Sequence, residues 1–122
     1  MKILAIDDAP IIFKQLQYLL NDLDHIELTG NAKNLDEAYN FLKTNKPDII
    51  ILDLKLKDEN GIELLEFVTK NHPEIKTIIL SNEGDYFYRN KCKQMGAAYF
   101  LDKSYEFDKL IDCITEIQDS NP

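Results

Sequence analysis

The sequence predicts an α/β domain, a doubly wound parallel sheet of five strands with five helices on its two faces. Short apolar runs alternate five times with longer segments whose apolar residues recur at helical spacing. Residues 49–52, Ile-Ile-Ile-Leu, are apolar without interruption, which is typical of a central strand covered on both faces. The chain has 122 residues, enough for one core and too few for two ordinary domains, so we expect one domain over residues 1–122.

The first half of the chain supplies three strands and two helices. Pro10 suits the first turn of a helix, because its missing N–H group would have no partner there. Asn34 is a candidate N-cap, and the half-polar second strand is expected near an edge of the sheet. In order, the predicted elements are a strand over 2–6, a helix over 10–22, a strand over 26–31, a helix over 35–45 and the central strand over 49–52.

The second half adds three helices and two strands after a loop. Gly61 opens the third helix, the segment before Pro73 ends it, and Gly96 closes the fourth helix as a left-handed cap. In order, the predicted elements are a loop over 54–61, a helix over 61–71, a strand over 76–80, a helix over 84–95, a strand over 97–101 and a helix over 106–118.

Charge and composition exclude several functions. Twenty-two acidic and fourteen basic side chains give a net charge of −8, which opposes contact with a phosphate backbone, so we expect no direct binding of nucleic acid. No apolar stretch reaches membrane-spanning length, and the N-terminus lacks the pattern of a signal peptide, so we expect no membrane association. Cys92 and Cys113 lie far apart without ligand-type spacing, which is typical of reduced thiols in the cytoplasm.

Polar residues follow four of the predicted strands. Asp7 and Asp8 follow the first strand, Asp53 the third, Ser81 the fourth and Lys103 the fifth. The carboxyl ends of parallel strands share one edge of the sheet, so these residues can converge on one pocket. Three carboxylates without a counter-charge repel one another, and hard oxygen ligands of this number suit Mg²⁺. The hydroxyl and the ammonium group are then available for a phosphate that binds the same ion.

Several motifs at these strand ends together resemble a known family. The matching residues are Asp7-Asp8 after the first strand, Asp53 in Ile-Ile-Leu-Asp-Leu, Gly61, Ser81 after Ile-Ile-Leu, and the run from Gly96 to Lys103. With these motifs in this order, the sequence resembles the receiver domain of two-component response regulators over essentially the whole chain. The resemblance implies the CheY-like, flavodoxin-like (βα)5 fold and a role as a phosphorylatable signalling switch.

The resemblance also implies the chemistry of the site. Asp53 would be the phosphoacceptor, attacking a phosphohistidine of a sensor histidine kinase or of a phosphotransfer protein, or a small donor such as acetyl phosphate. Ser81 would hydrogen-bond one phosphoryl oxygen and Lys103 would pair with another. Any enzymatic activity would then be at most Mg²⁺-dependent self-phosphorylation and slow autodephosphorylation.

The cofactor that the resemblance implies is Mg²⁺. Asp8 and Asp53 would bind the ion directly, and Asp7 would act through water or directly. Lys55 would contribute its backbone carbonyl.

A conformational switch is implied as well. The Ser81 hydroxyl would move toward the phosphoryl group, and Phe100, the aromatic residue three positions before Lys103, would turn inward behind it. The alternative is that Phe100 simply belongs to the core. If the switch operates, the fourth helix, fifth strand and fifth helix form an output face for a downstream target, an output domain or a homodimer. Its candidate contacts are Tyr86, Tyr88, Arg89, Lys91 and Tyr105.

The chain departs from the family pattern at several positions beside the site. Ser104 stands where proline, commonly in cis, follows the active-site lysine, so we predict a trans Lys103-Ser104 bond and a relaxed loop. Lys57 stands where proline is common, which predicts a looser loop before Gly61. Asn82, where a small residue is usual, and Glu83 lie next to the phosphoryl pocket opposite Lys55.

Two other classes of function remain open from the sequence. One is a receiver-like module that docks proteins without phosphorylation, although such a module has no need for the complete aspartate, serine and lysine set. The other is a flavin binder or a small Mg²⁺ phosphatase, which the acidic first loop and the absence of length for a substrate cap argue against. We expect either a single-domain regulator or a receiver cut from a longer chain whose output domain is missing.

Overall fold

The computed structural model describes residues 1–82 and 86–120 of the chain. The elements are β1 (Lys2–Ile6), α1 (Pro10–Leu20), β2 (Glu27–Ala32), α2 (Leu35–Thr44), β3 (Ile49–Leu52), β4 (Lys55–Leu56), β5 (Glu59–Asn60), α3 (Ile62–Asn71), β6 (Lys76–Ser81), α4 (Tyr86–Gln94), β7 (Tyr99–Asp102) and α5 (Leu110–Ser120), with a 3₁₀ turn over Phe107–Lys109 before α5. The predicted fold class is confirmed, since five parallel strands form one sheet and five helices cover it.

The order of the strands creates a crevice at one edge of the sheet. The spatial order is β2-β1-β3-β6-β7, and every neighbouring pair is parallel. The chain therefore winds outward in both directions from β1 and β3, and the connections after these two strands leave toward opposite faces. Ligands of such sheets bind where the winding reverses, outside the carboxyl ends of the two central strands. The segments that follow β1 and β3 border this crevice.

The sheet is buried on both faces, as the continuous apolar run predicts. Ile49 and Ile51 of β3 belong to one apolar cluster with Leu16 of α1 and Ile114 of α5. Ile50 and Leu52 belong to a second cluster, which holds residues of α2, α3 and α4. All four β3 residues are at most 3% exposed. Two helices thus cover one face and three cover the other, so the carboxyl end of β3 is held rigidly between two cores.

Several predicted boundaries shift by a few residues. α1 ends at Leu20 rather than at residue 22. The fifth strand begins at Tyr99 rather than at residue 97, because Gly96, with φ of 103°, and the Ala97 N–H still close the preceding helix. The last helix starts with a 3₁₀ turn and continues to Ser120. The predicted start of the fourth helix at residue 84 lies outside the described residues.

The segment predicted as a loop after Asp53 contains a small hairpin. β4 and β5 pair antiparallel, with Leu56 opposite Glu59, and residues 57 and 58 form the turn between them. Strands of two residues have no periodicity that a sequence could reveal. Gly61 lies against the main chain at the hairpin base, where a Cβ atom would come within 2.7 Å of the Asp53 carbonyl oxygen. A residue without a side chain is therefore required there.

Two further predictions concern the backbone and the membrane. The described residues contain no cis peptide bond, so the Lys103-Ser104 bond is trans, as the replacement of proline predicts. Within 1–82 and 86–120, none of the helices combines the length and the apolar character needed to cross a bilayer.

Candidate functional site: an acidic pocket at the carboxyl ends of the strands

Three aspartates meet at the crevice. Asp7 and Asp8 follow β1 directly, and Asp53 follows β3, its neighbour in the sheet. Each of the three side chains offers a carboxylate oxygen that lies within 4.8 Å of the other two. We call these three aspartates and Lys103 the acidic pocket. Residues that are 46 positions apart in the chain are brought together because β1 and β3 end at the same edge.

Lys103 bridges two of the three carboxylates. Its Nζ atom lies 2.7 Å from Oδ2 of Asp7 and 3.0 Å from Oδ2 of Asp53. The lysine side chain is 12% exposed, so these ion pairs are shielded from water. Burial opposes the charge on Lys103, but its hydrogen bonds to the two aspartates outweigh this effect and raise its pKa. Lys103 is therefore a permanent cation at neutral pH.

The pocket nevertheless has an excess of negative charge. Three carboxylates face one ammonium group, and Asp53 itself is only 6% exposed. Burial raises the pKa of Asp53, and the charge of Asp7 adds to this effect. The hydrogen bonds from the Lys55 N–H and from Lys103 act in the opposite direction without reversing it. The lysine alone does not neutralise the pocket, and a divalent cation would relieve the remaining repulsion.

Each carboxylate is also held by one main-chain N–H group. These bonds use one oxygen of each side chain and so orient all three. They run from Ala9 to Oδ1 of Asp7 at 2.9 Å, from Lys57 to Oδ2 of Asp8 at 2.8 Å and from Lys55 to Oδ1 of Asp53 at 3.0 Å. The donor set of oriented carboxylate oxygens with a net negative charge fits Mg²⁺. The role of the Lys55 carbonyl as a ligand stays a prediction.

Ser81 and Lys103 are neighbours across the strands that carry them. Ser81 is the last residue of β6 and is fully buried. The Lys103 N–H donates to the Ser81 carbonyl oxygen at 3.1 Å, which holds the segments after β6 and β7 together. The predicted phosphate contacts therefore stand on the same edge as the aspartates.

Phe100 points into the protein. Its side chain is 8% exposed and belongs to the same apolar cluster as α2, α3 and α4. The guanidinium carbon of Arg89 on α4 lies 5.1 Å from the centre of the ring, and Arg89 donates to the Phe100 carbonyl oxygen at 3.1 Å. The inward position agrees equally with a switch residue and with a core residue, so the role of Phe100 stays a prediction.

Arg89 also joins α4 to the segment after β7. It makes an ion pair with Glu106 at 2.9 Å, and this hydrogen bond lowers the pKa of Glu106. The Glu106 carboxylate accepts a second hydrogen bond from the Asp102 N–H at 3.0 Å. The sequence places Arg89 on the output face but does not reveal Glu106 as its partner, since no sequence pattern relates two residues 17 positions apart on different elements.

The loop after Lys103, where a relaxed backbone is predicted, is held by hydrogen bonds to Asp102. Oδ1 of Asp102 accepts hydrogen bonds from the Ser104 N–H at 2.7 Å and from the Tyr105 N–H at 3.2 Å. An aspartate followed by such a turn is a known local motif, and it could have been recognised in the sequence. The Ser104 hydroxyl also lies 3.4 Å from Oδ1 of Asn82. Proline at position 104 would have no N–H to donate to Asp102.

The other candidate output residues have different environments. Tyr105 is 85% exposed, whereas Tyr88 packs partly against the core. Lys91 lies over the ring of Phe87, with Nζ 5.7 Å from its centre. The side chain of Tyr86 and all of Glu83 lie outside what the structure describes.

The fold and the pocket define a class of α/β domain. In this class, carboxylates that suit a metal ion and a phosphate lie together at the point where the winding of the sheet reverses. A family model described as "Response regulator receiver domain" matches residues 3–115. The chain belongs to this family and is a receiver domain of two-component signal transduction. Receiver domains bind Mg²⁺ through an acidic pocket and interact with histidine kinases or phosphotransfer proteins and with output domains.

Relatives and solved structures agree with this assignment. The chain is 33% identical over 118 residues to transcriptional regulatory protein LytR of Staphylococcus aureus. The aligned region covers 97% of this chain and 47% of that protein. It is 32% identical over 117 residues to a protein-glutamate methylesterase/protein-glutamine glutaminase of Clostridium acetobutylicum, covering 92% of this chain and 34% of that protein. The Francisella response regulator 1452 receiver domain superposes with a TM-score of 0.87 at 25% identity, over 99% of this chain and 98% of that one.

The curated relatives are longer than this chain. It spans between 34% and 53% of the length of the first relatives that it matches. The comparisons support a signalling receiver and give no support to the docking-module alternative.

Proposed function

We propose that Asp53 accepts the phosphoryl group in this receiver domain. The observation that supports it is the placement of the Asp53 carboxylate at the end of β3, 3.0 Å from the Lys103 ammonium and within 4.8 Å of the other two aspartates. A carboxylate oxygen of Asp53 attacks the phosphorus of a phosphohistidine. The new P–O bond forms as the P–N bond breaks, and the imidazole leaves with its electron pair and takes a proton. The product is an acyl phosphate on Asp53.

The remaining residues of the site position and neutralise the transferring group. Asp8 and Asp53 would hold Mg²⁺ directly, the Lys55 carbonyl would be a third ligand, and Asp7 would act directly or through water. When bound, the ion would supply positive charge to the phosphoryl oxygens. Lys103 pairs with one of these oxygens and the Ser81 hydroxyl donates to another. Positioning and charge neutralisation supply most of the catalysis in phosphoryl transfer, so no further side chain has to take part.

The partners follow from the same proposal. A sensor histidine kinase or a histidine phosphotransfer protein supplies the phosphoryl group in the cytoplasm. α4, β7 and α5 form the output face, which contacts a downstream protein, an output domain of the same regulator or a second copy of the domain. Ser81 and Phe100 connect the phosphorylated site to this face. The net charge of −8 argues against DNA binding by the domain itself.

Intact-mass spectrometry after incubation with acetyl phosphate tests the proposal. We expect the wild type to gain one phosphoryl group in Mg²⁺ and none in EDTA, and the Asp53→Asn variant to gain none. Asp48→Asn is the matched control, because Asp48 precedes β3 at the opposite end of the same strand and accepts a hydrogen bond from the Lys2 N–H at 2.7 Å. We expect it to behave as the wild type does.

Two results would contradict the proposal. No mass gain in the wild type, together with no binding of the acyl-phosphate mimic beryllofluoride, would favour a docking module that works without phosphorylation. A gain that persists in Asp53→Asn would assign the acceptor to another residue.

A further inference from the structure

We infer that the main-chain N–H of Lys57 positions Asp8 for metal binding, so that the turn between β4 and β5 is part of the metal site. The inference rests on the proposed Mg²⁺ site and adds a positioning residue to it. The N–H of Lys57 donates to Oδ2 of Asp8 at 2.8 Å, across 49 positions of the chain.

Asp8 depends on this bond more than its neighbours depend on theirs. Asp7 and Asp53 each have a second anchor, since Lys103 bridges them, and each takes its N–H from the residue two positions further on. Within residues 1–82 and 86–120, the bond from Lys57 is the hydrogen bond that holds the Asp8 carboxylate. Asp8 is also less buried than the other two aspartates. Without this bond, its side chain would be free to turn away from two like charges.

The turn that provides the N–H group is firmly supported. Leu56 on its first strand is 2% exposed and packs in the core. Glu59 on its second strand accepts a hydrogen bond from the Leu35 N–H at the start of α2, at 3.0 Å. The Gly61 N–H donates to the Leu54 carbonyl oxygen at 2.7 Å and closes the base of the hairpin. The hairpin can therefore hold the Lys57 N–H at a fixed place beside the pocket.

The hydrogen bond leaves Asp8 able to bind an ion. One N–H group occupies one lone pair of Oδ2, and a carboxylate offers about four such positions. Hydrogen bonds to ligating carboxylates orient them before the metal arrives, and their loss typically lowers metal affinity about tenfold or more. The Lys57 N–H would thus lower the cost of ordering Asp8 when the ion binds.

The geometry of the turn permits a clean test. Lys57 is the first and Asp58 the second central residue, and Asp58 has φ of 61° while Lys57 does not have a positive φ. This combination is that of a type II turn, in which proline is common at the first central position. Proline is compatible with this pattern, so Lys57→Pro removes the N–H group and the charged side chain at a position of the turn that accepts it. Lys57→Ala removes the side chain and keeps the N–H group.

Calorimetric titration of the metal-free chain with MgCl₂ compares the wild type with both variants. We expect Lys57→Pro to raise the Kd for Mg²⁺ by about tenfold or more, and Lys57→Ala to stay within about twofold of the wild type. Equal affinity of Lys57→Pro and wild type would overturn the inference and leave the proposed function intact. An equal loss in both variants would assign the effect to the lysine charge instead. A wild type that binds no Mg²⁺ would overturn both proposals.

A second measurement keeps the inference testable if Lys57→Pro does not fold. In the wild type we expect the Lys57 amide to be protected from hydrogen exchange, and Asp8→Ala to speed its exchange by about fivefold. The Leu35 amide, which donates to Glu59 of the same hairpin, is the internal control and should not change. Equal exchange of the Lys57 amide in the wild type and in Asp8→Ala would contradict the inference.

Discussion

Asp53, the proposed phosphoacceptor, has an environment that is unfavourable for stability. Its carboxylate is buried beside Asp7, and the single lysine of the pocket is shared between them. Burial raises its pKa although Lys103 and the Lys55 N–H favour the ionised form. A buried anion that is poorly compensated is available as a nucleophile and as a metal ligand, and it costs folding energy while no cation is bound.

The first prediction is that Asp53→Asn raises the free energy of unfolding at pH 7 in EDTA, by of the order of 1 kcal/mol. The amide removes the buried charge and keeps one acceptor oxygen for the Lys55 N–H, while Lys103 keeps its ion pair with Asp7. Because the folded-state pKa of Asp53 is raised, its contribution to stability is fully present below the unfolded value and is lost as the pH rises through the folded value. The advantage of the variant should therefore disappear below about pH 4.

Urea unfolding of both proteins between pH 4 and pH 8 measures this difference. Asp48→Asn, at the exposed end of the same strand, is the control and should not be more stable than the wild type at pH 7. A variant that is less stable than the wild type at pH 7 would mean that the ion pair with Lys103 outweighs the cost of burial.

The site residues that lie at the ends of strands could be predicted from the sequence. Hydrogen bonds between distant elements could not. Asp7, Asp8, Asp53, Ser81 and Lys103 follow apolar runs, and a parallel sheet brings such positions together. The bond from Lys57 to Asp8 requires a hairpin of two-residue strands, which leaves no pattern in the sequence. The turn at Asp102 does leave one, because aspartate often accepts hydrogen bonds from the N–H groups that follow it.

Arg89 is a polar connection between α4 and β7, beside the apolar contact of Cys92 with the cluster that holds Phe100. Arg89 donates to the Phe100 carbonyl oxygen, stacks on the Phe100 ring and pairs with Glu106. α4 itself is polar, since more than half of its residues are arginine, lysine, asparagine or glutamine. A helix this polar has less local stability than the buried elements, which suits a part of the fold that changes position.

We predict that Arg89→Ala lowers the local stability of α4. We expect the amides of α4 to exchange about fivefold faster with solvent, which corresponds to the loss of roughly 1 kcal/mol of local stability. Hydrogen-exchange mass spectrometry at fixed pH measures the effect. Lys91→Ala is the control, because it removes a charge from the same helix. The contact of Lys91 with the Phe87 ring lies within α4, so its loss does not affect the connection to β7. Equal exchange in Arg89→Ala and Lys91→Ala would show that Arg89 does not hold the helix.

The parallel sheet explains how residues that are far apart in the sequence lie together in one pocket. β1, β3, β6 and β7 lie next to one another, and the residues of the proposed site lie at the same end of each. The alternation of apolar runs and helical segments was sufficient to predict this common edge. It was not sufficient to predict every element boundary to the residue, since caps and 3₁₀ turns such as Phe107–Lys109 depend on local hydrogen bonds.

Mapping the modified residue shows whether Asp53 itself receives the phosphoryl group. A substitution at Asp53 can abolish phosphorylation indirectly, through its neighbours Asp7 and Lys103. Borohydride reduces an acyl phosphate to an alcohol and so converts a phosphorylated aspartate to homoserine, which peptide mass spectrometry can locate. After incubation with acetyl phosphate and Mg²⁺, we predict homoserine at position 53 and at no other aspartate. Homoserine at Asp7 or Asp8, or at none of the three, would contradict the assignment.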